Sequence, residues 1–336
     1  MIAIFTFTDR GKALAASLEQ RFIQGQYAAE KEIICCHKVS RDRMKTYMIK
    51  GNLLIFISAA GIAVRMTAPF LTDKASDPAV LVMDDTAKHV IALLSGHLGE
   101  ANRWTELVAG MMGAEAVITT ATDCNGIWAV DTFAVNKKLR ITDIAKIKYV
   151  SAKLLRGEQA AVWAEPSLGL LAQELIKDAG GACCLTDEKE GADIILTNNS
   201  KAGTGLASCC VLVPMDIIIG IGCRRGKTAE ELYGFIREIC AGQGIDMYRI
   251  RSLHSIDKKE QEEGLRQVAR QIGVPFLTYT AKVLSGQEGE FSASEFVEHT
   301  VGVDNVCERS AVAGGGKILL GKQMKNGMTL ALASAT

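Results

Sequence analysis

The sequence has no excess of charge of either sign. It contains 38 Lys and Arg residues and 38 Asp and Glu residues, so its formal net charge is zero. Nonspecific binding to nucleic acid or to an anionic membrane surface depends on an excess of basic residues. We therefore expect neither nucleic acid nor a membrane as a partner.

Long apolar runs are missing too. Runs such as Leu53–Ile57 and Ile217–Ile219 have the length of a strand, far below the ~20 residues of a membrane-spanning helix. The first residues, MIAIFTFT, contain no basic segment ahead of an apolar stretch, so we expect no secretory signal. These observations favour a cytoplasmic protein.

Signs of a disulfide framework or a zinc ribbon are also lacking. The 10 cysteines include no CxxC spacing, which zinc ribbons and redox motifs use. Six of them form adjacent pairs, which are Cys35-Cys36, Cys183-Cys184 and Cys209-Cys210. Neighbouring cysteines cannot staple distant segments, so we expect reduced thiols. The histidines His37, His89, His254 and His299 share no ligand spacing, and we predict no metal site built by the protein.

The chain has only 5 prolines but 48% hydrophobic residues, a composition typical of globular proteins. Strand-like and helix-like segments alternate, which favours an α/β fold with mainly parallel sheets. We predict three domains: residues 1–135, a smaller α/β middle domain with its linker at 136–213, and residues 214–336. Within the first, short spacing predicts a hairpin of Val80–Met83 with His89–Leu94, and a helix follows over Leu98–Met112 with Gly113 as its C-cap.

A glycine-rich turn, GIGCRRGKT at residues 220–228, follows a predicted strand. Its glycines have the wrong spacing for a Walker loop and for a dinucleotide fingerprint, so neither ATP nor NAD is indicated. A strand that ends in glycines before a helix still offers N–H groups to an anion. Gly222, Arg224 and Arg225 are therefore candidate ligand contacts, and a tight turn with solvated basic residues is the alternative.

Polar residues gather at predicted strand ends in residues 1–135. They lie in Gly61–Arg65, Asp73-Lys74, Asp77-Pro78, Asp84-Asp85, Ser95–Asn102 and Thr119–Asp123. His97 opens the predicted helix at Leu98, where the helix dipole would lower its pKa and keep it neutral, as a base requires. A purely structural histidine is the alternative. Ser95 lacks the GxSxG context of a nucleophile, and its expected role is a cap.

The same motifs resemble a known family. GIAVR, PxLxDKxxDPAV, LLSGHLGxAN and ITTATD are similar to the amino-terminal domain of the cobalt-precorrin-5A hydrolase (CbiG) family of anaerobic cobalamin biosynthesis. GIGCRRG, SIDKKEQEEGL, PFLTY, VGVDNVCERSA and AGGGKILLGKQ resemble its carboxyl-terminal domain. The family commonly has glycine where this chain has Glu100, which is either an acid favoured by the helix dipole or a substrate contact.

The resemblance implies an enzyme that opens the δ-lactone of cobalt-precorrin-5A and releases acetaldehyde, giving cobalt-precorrin-5B. The implied reaction requires no cofactor, because the cobalt belongs to the substrate. His97 or Asp123 would be the general base, and Ser95, Asn102 or the N–H groups at the start of the Leu98 helix would donate to the oxyanion. A corrinoid carrier without catalytic activity and a nucleotide-dependent enzyme are the competing hypotheses.

The substrate carries acetate and propionate groups, which arginine and lysine side chains bind well. Candidate substrate contacts lie in both terminal domains, which predicts a cleft between them. They are Arg65, Lys74, Asp77, Gly96, Gly99, Thr120, Thr122, Gly222, Arg224, Arg225 and Lys317. Cys307 is expected to be a buried helix residue. The sequence leaves open a homodimer and transient contact with neighbouring pathway enzymes.

Overall fold

A computed structural model describes residues 1–27, 31–73, 76–293 and 302–335. Lys74 and His299 lie outside the described residues. The described strands are β1 (Ile2–Thr6), β2 (Ile33–His37), β3 (Leu53–Ile57), β4 (Ala79–Met83), β5 (His89–Leu94), β6 (Glu115–Val117), β7 (Leu139–Ile141), β8 (Ala160–Ala164), β9 (Cys183–Leu185), β10 (Ile194–Leu196), β11 (Cys210–Pro214), β12 (Ile217–Cys223), β13 (Ile250–Ile256), β14 (Phe276–Tyr279), β15 (Gly316–Lys325) and β16 (Met328–Ala335).

The helices alternate with these strands. They are α1 (Asp9–Gln24), α2 (Arg41–Met44), α3 (Ala60–Thr67), α4 (Ala101–Met112), α5 (Ala121–Cys124), α6 (Val130–Asn136), α7 (Ile147–Leu155), α8 (Gly169–Asp178), α9 (Ala229–Gly242), α10 (Glu263–Ile272), α11 (Ala281–Ser285) and α12 (Cys307–Ala313). No helix in the described ranges is both long and apolar enough to cross a membrane.

The first sheet has the strand order β2-β1-β3-β4-β5-β6. Strands β1 to β4 are parallel, β5 is antiparallel to β4, and β6 is parallel to β5. The predicted hairpin of β4 with β5 is confirmed. Because the direction reverses at β5, the carboxyl ends of β5 and β6 lie at the same edge as the amino ends of β1 to β4. The segments that follow β5 and β6 therefore meet at one edge of the sheet.

This sheet is covered on both faces, as the alternation of side chains in β1 requires. Ile2 and Ile4 pack in one cluster with Phe22 of α1 and Val108 of α4. Phe5 points to the other face and packs with Met44. Burial on both faces explains why the central strands are apolar throughout, and it leaves the strand ends for polar chemistry.

The other two sheets have five strands each, in the orders β7-β11-β10-β8-β9 and β14-β13-β12-β16-β15. Strand β10 is parallel to β8 and β11, whereas β7 is antiparallel to β11. In the third sheet β12, β13 and β14 are parallel, and β16 runs antiparallel to β12 and β15. The α/β fold with mainly parallel sheets is confirmed.

Contacts between Cα atoms divide the chain into two compact units. The first contains Met1–Val135, Ile144–Ala160 and Leu175–Cys184. The second contains Asn136–Asp143, Ala161–Glu174 and the chain from Leu185 onward. The domain boundaries at 135/136 and 213/214 stay a prediction.

Candidate functional site

The loop between β5 and α4 is closed by its own backbone. The carbonyl of Ser95, a residue with φ of 59°, accepts from the N–H groups of Gly99 and Ala101 at 3.1 Å each. Glu100 donates to the His97 carbonyl at 2.9 Å. Helix α4 therefore begins at Ala101 rather than at Leu98, so the predicted start is wrong by three residues. The predicted C-cap at Gly113 is confirmed, with φ of 67°.

Two positions of this loop require glycine for steric reasons. A Cβ on Gly96 would stand 2.8 Å from Asn102 Oδ1, and one on Gly99 would stand 2.5 Å from the Ser95 Cβ. Real Cβ atoms do not approach that closely. Both residues thus allow the loop to fold tightly beside the site, and their role as substrate contacts stays a prediction.

His97 lies between two carboxylates. Its Nδ1 is 3.0 Å from Asp131 Oδ2 and its Nε2 is 2.6 Å from Asp123 Oδ2. Its side chain is 10% exposed and that of Asp131 is 11% exposed. The hydrogen bond to Asp131, together with Asp123, outweighs burial and raises the pKa of His97 to about 9.

The prediction of a neutral His97 is therefore wrong. Helix α4 starts four residues after His97, beyond the reach of most of the dipole effect. Two carboxylates within hydrogen-bond distance act more strongly than a helix end, and they favour the doubly protonated imidazolium. At neutral pH both ring nitrogens donate.

Asp123 joins His97 to a wider network. It lies on α5, and its Oδ2 also accepts from Asn102 Nδ2 at 3.0 Å. The same Asn102 nitrogen donates to Thr120 Oγ1 at 2.9 Å, and Thr122 Oγ1 lies 3.4 Å from His97 Nε2. Five residues predicted for the site thus meet in one hydrogen-bonded cluster.

Asp123 differs from Asp131 in exposure. Its side chain is 40% exposed, and within the described residues its Oδ1 makes no hydrogen bond, since both recorded bonds use Oδ2. A carboxylate oxygen that is exposed and unpaired is able to take a proton from a water molecule. The cluster therefore combines an oriented cation with an accessible carboxylate.

Asp131 is a residue of this cluster that the sequence did not indicate. This residue lies on α6, where Val130, Phe133 and Ala134 are buried. Asp131 shares their burial, with its Oδ1 accepting from the N–H of Thr132 at 3.1 Å. A carboxylate among core residues at helical spacing is the signal that could have found it, because buried charges need a partner.

Ser95 and Asp77 hold the loop together. Ser95 Oγ donates to the Asp77 carbonyl at 3.2 Å, and the Asp77 carboxylate accepts from the N–H of Thr72 at 2.9 Å. Ser95 does not cap α4 with its side chain, because the Ser95 hydroxyl donates to Asp77 instead. The expected cap role is wrong, because its left-handed backbone directs the carbonyl, rather than the hydroxyl, at the helix start.

The N–H groups proposed for the oxyanion are partly occupied. Those of Gly99, Glu100, Ala101 and Asn102 donate to carbonyls of residues 95–97. Those of Gly96, His97 and Leu98 make no recorded hydrogen bond to another described residue. The free donors thus precede the helix rather than open it.

The other predicted polar groups do not all reach this cluster. Asp84 and Asp85 lie in the turn between β4 and β5, at the edge opposite to His97. Helix α3, which carries the exposed Arg65, also begins at that opposite edge, directly after β3. The edges of a five-residue strand are ~16 Å apart, so the expected single constellation divides in two.

The predicted cations of the third sheet are also separated. Arg224 and Arg225 are exposed and follow β12 at Cys223. Lys317 is exposed on β15, and its partner Ser334 pairs in turn with Ile217, the first residue of β12. A seven-residue strand spans ~23 Å, and these cations therefore lie at opposite ends of the sheet.

The GIGCRRGKT turn uses the carboxylates of its own domain. Gly226 N–H donates to Glu262 at 2.8 Å, and Thr228 N–H donates to Glu231 at 3.0 Å in a capping box. At Gly222, a Cβ would stand 2.8 Å from the Thr329 hydroxyl. The N–H groups of Gly226 and Thr228 thus already have hydrogen-bond acceptors. Position 222 requires glycine because a side chain there would collide with Thr329.

No three His, Cys, Asp or Glu side chains in the described ranges form a group suited to holding a metal ion. His97 has no free nitrogen while it donates to both aspartates. Cys307 is buried at the start of α12, as predicted.

The fold is α/β, and the hydrogen-bonded cluster of one histidine and two aspartates is a candidate acid–base site. Residues 42–123 match the family model described as cobalamin synthesis G N-terminal, and residues 217–333 match cobalamin synthesis G C-terminus. A cobalt-precorrin-5A hydrolase of Salmonella typhimurium is 35% identical over 99% of this chain and 97% of its own. One of Priestia megaterium is 31% identical over 98% and 94%.

The chain therefore belongs to the cobalt-precorrin-5A hydrolase family, the hydrolases of cobalamin biosynthesis. A crystal structure of a cobalamin biosynthesis protein G homolog from Sulfolobus solfataricus covers 100% of this chain and 97% of its own, at 18% identity and a TM-score of 0.42. The residues His97, Asn102 and Asp123 fall within the matched amino-terminal model, whereas Asp131 lies beyond it.

Proposed function

We propose that this enzyme hydrolyses cobalt-precorrin-5A, opening its δ-lactone and releasing acetaldehyde to give cobalt-precorrin-5B. The observation that carries the proposal is the His97–Asp123–Asn102 cluster, which lies in the part of the chain that matches the family. Relatives of nearly full length bear the name cobalt-precorrin-5A hydrolase.

Asp123 is the general base of this proposal. Water attacks the lactone carbonyl carbon and gives its proton to Asp123 Oδ1, the oxygen that makes no hydrogen bond within the described residues on a side chain that is 40% exposed. His97 and Asn102 hold the other oxygen and keep the carboxylate oriented. We assign this role to Asp123 rather than to His97, because both ring nitrogens of His97 lie within hydrogen-bond distance of carboxylates.

The negative charge that forms on the carbonyl oxygen needs donors. The N–H groups of Gly96, His97 and Leu98 make no hydrogen bond within the described residues, and we assign this role to them. When the tetrahedral intermediate collapses, the ester C–O bond breaks and the alkoxide takes a proton. The alcohol then loses its O–H proton as its carbon separates from the ring, giving acetaldehyde, and the ring carbon takes up a proton.

The carboxylates of the substrate need cationic partners, and Arg65, Lys74, Arg224, Arg225 and Lys317 stay the candidates that the sequence offers. The proposal includes no cofactor, because cobalt enters with the substrate. The substrate is the only partner proposed, with self-association and contacts to other enzymes of the pathway left open. The ten cysteines are in the reduced state, which supports a cytoplasmic location.

The test is an acetaldehyde assay with purified protein and cobalt-precorrin-5A. Asp123→Asn keeps the shape of the side chain but removes its basicity, so we expect a loss of 10²–10⁴-fold in kcat. Asp85→Asn, at the opposite edge of the same sheet, is the matched control and keeps the wild-type rate. A fully active Asp123→Asn enzyme contradicts the assignment. Corrinoid binding without acetaldehyde, in the wild type, supports a carrier instead.

A further inference from the structure

We infer that Asp131 is a positioning residue of the catalytic cluster, which acts through His97 to orient Asp123. The inference rests on the proposed function of Asp123 and concerns a residue outside both matched family segments. Asp131 itself contacts His97 Nδ1 at 3.0 Å and lies on the side of the ring away from Asp123.

The helix that carries Asp131 is fixed by its neighbours. Val130, Phe133 and Ala134 of α6 are buried, and the ring of Trp128 lies 5.9 Å from that of Phe133. Trp128 Nε1 in turn donates to Asp178 Oδ2 at 2.7 Å. This packing restrains the helix that carries Asp131. Its carboxylate can therefore hold the His97 ring in one orientation.

Burial makes the charge of Asp131 dependent on His97. A buried carboxylate is costly unless it is paired, and Asp131 has His97 Nδ1 and the N–H of Thr132 as its recorded partners. It therefore keeps a proton on Nδ1. This fixes Nε2 as the nitrogen that faces Asp123, and protonated Nε2 donates to Asp123 Oδ2 at 2.6 Å.

The charged groups around His97 come from three elements. Asp131 faces it from α6 and Asp123 from α5. On its own loop and α4, the half-buried Glu100 is paired with the exposed Arg103 at 2.6 Å. The state of the His97 ring is therefore set by the two aspartates, and removal of the Asp131 charge should change it most, because Asp131 makes the largest contribution to the raised pKa of His97.

The first experiment does not depend on activity. The imidazole of His97 is titrated by NMR in the full-length wild type, in Asp131→Asn and in Asp85→Asn, with His97→Gln used to assign its signals. We expect His97 to titrate near pH 9 in the wild type and at least one pH unit lower in Asp131→Asn. Asp85→Asn, which removes a carboxylate at the opposite edge of the sheet, leaves the titration unchanged. Equal titration in Asp131→Asn and the wild type overturns the inference.

The second experiment uses the pH profile of acetaldehyde release. If His97 must be protonated to orient Asp123, the alkaline limb of kcat follows the titration of His97. We expect Asp131→Asn to move that limb by one pH unit or more toward acid, with KM nearly unchanged, and Asp131→Glu to restore part of the shift. A merely structural role lowers kcat equally at every pH and overturns the inference. If no variant or wild type releases acetaldehyde while the NMR shift is present, the proposed function fails and the pairing stands.

Discussion

Asn102 lies between Gly96 and Asp123. Its Nδ2 donates to Asp123 Oδ2 at 3.0 Å, and its Oδ1 would be 2.8 Å from a Cβ on Gly96. The amide oxygen is buried and has no recorded partner among the described residues. The amide is thus held by packing against Gly96 on one side and by the Asp123 carboxylate on the other. A substitution at either neighbour should therefore displace the Asn102 side chain.

Replacement of Asn102 by alanine should lower kcat about tenfold or more. The substitution removes the neutral donor to Asp123 Oδ2 and leaves Thr120 Oγ1 without its donor, and loss of such a buried partner costs about 1–3 kcal/mol. The measurement is the rate of acetaldehyde release at saturating substrate. Asn125→Ala is the control, because the exposed Asn125 donates from Nδ2 to the Ala121 carbonyl and to no other group in the described part of the chain. Equal rates of the two variants would contradict the role of Asn102.

Gly96→Ala should impair catalysis more than folding. The added Cβ displaces the Asn102 amide, at 2.8 Å, and with it the hydrogen bond to Asp123. We expect kcat to fall tenfold or more. Gly110→Ala in α4 is the matched control, because an added Cβ there meets no atom of the described residues within 4 Å beyond its chain neighbours and its own helix backbone. Alanine at this position raises helix stability by about 0.5–1 kcal/mol. Thermal unfolding and kcat are measured for both, and a wild-type rate for Gly96→Ala would show that the contact is unimportant.

The local parts of the fold could be predicted from the sequence, and the long-range parts could not. The hairpin of β4 and β5 follows from the short polar turn at Asp84, and Gly113 ends α4 as expected. The reversal of direction at β5 is what separates Asp84 from His97, although both follow apolar strands. The carboxyl ends of two neighbouring strands lie at the same edge only when the strands are parallel. The expected cluster of Asp84 with His97 therefore does not form.

The candidate site shows the same limit. The loop Ser95–Asn102 and the segment Thr119–Asp123 could be identified as local motifs, and they do meet. The pKa of His97 depends on Asp131, which lies 34 residues away in the sequence. The position of His97 near a helix start predicted a lowered pKa, whereas its pKa is raised. The local sequence does not show that a carboxylate on another helix lies beside the ring.

Glu100→Gly should stabilise the protein. Glu100 has φ of 63°, a left-handed conformation that costs an L-residue about 1–2 kcal/mol and glycine much less. Its ion pair with Arg103 is at the surface and contributes ~0–1 kcal/mol. We expect a net gain of about 0.5–1 kcal/mol, seen as a small rise in Tm, whereas Glu100→Ala loses the ion pair and keeps the strain. A lower Tm for the glycine variant than for the alanine variant would contradict the strain argument.

His254 should make the third sheet's domain less stable below pH 6.5. It is buried on β13, with Nδ1 at 3.0 Å from Tyr279 Oη and Nε2 at 2.6 Å from Ser252 Oγ. Burial, reinforced by the charge of Arg251, lowers its pKa to about 4. The unfolded chain takes up a proton near pH 6.5, whereas the folded chain does not until about pH 4.

The stabilisation by neutral His254 is therefore complete above pH 6.5 and is lost as the pH falls toward 4, at ~1.4 kcal/mol per pH unit. Tm is measured between pH 7 and 4.5 for the wild type and for His254→Gln, which cannot titrate but retains a polar side chain. We expect a shallower decline for His254→Gln even though its Tm at pH 7 is lower. His89→Gln, at a half-exposed histidine of the first sheet, is measured beside it as the control for loss of a histidine side chain. Parallel curves for His254→Gln and the wild type would show that protonation of another group destabilises the domain in acid.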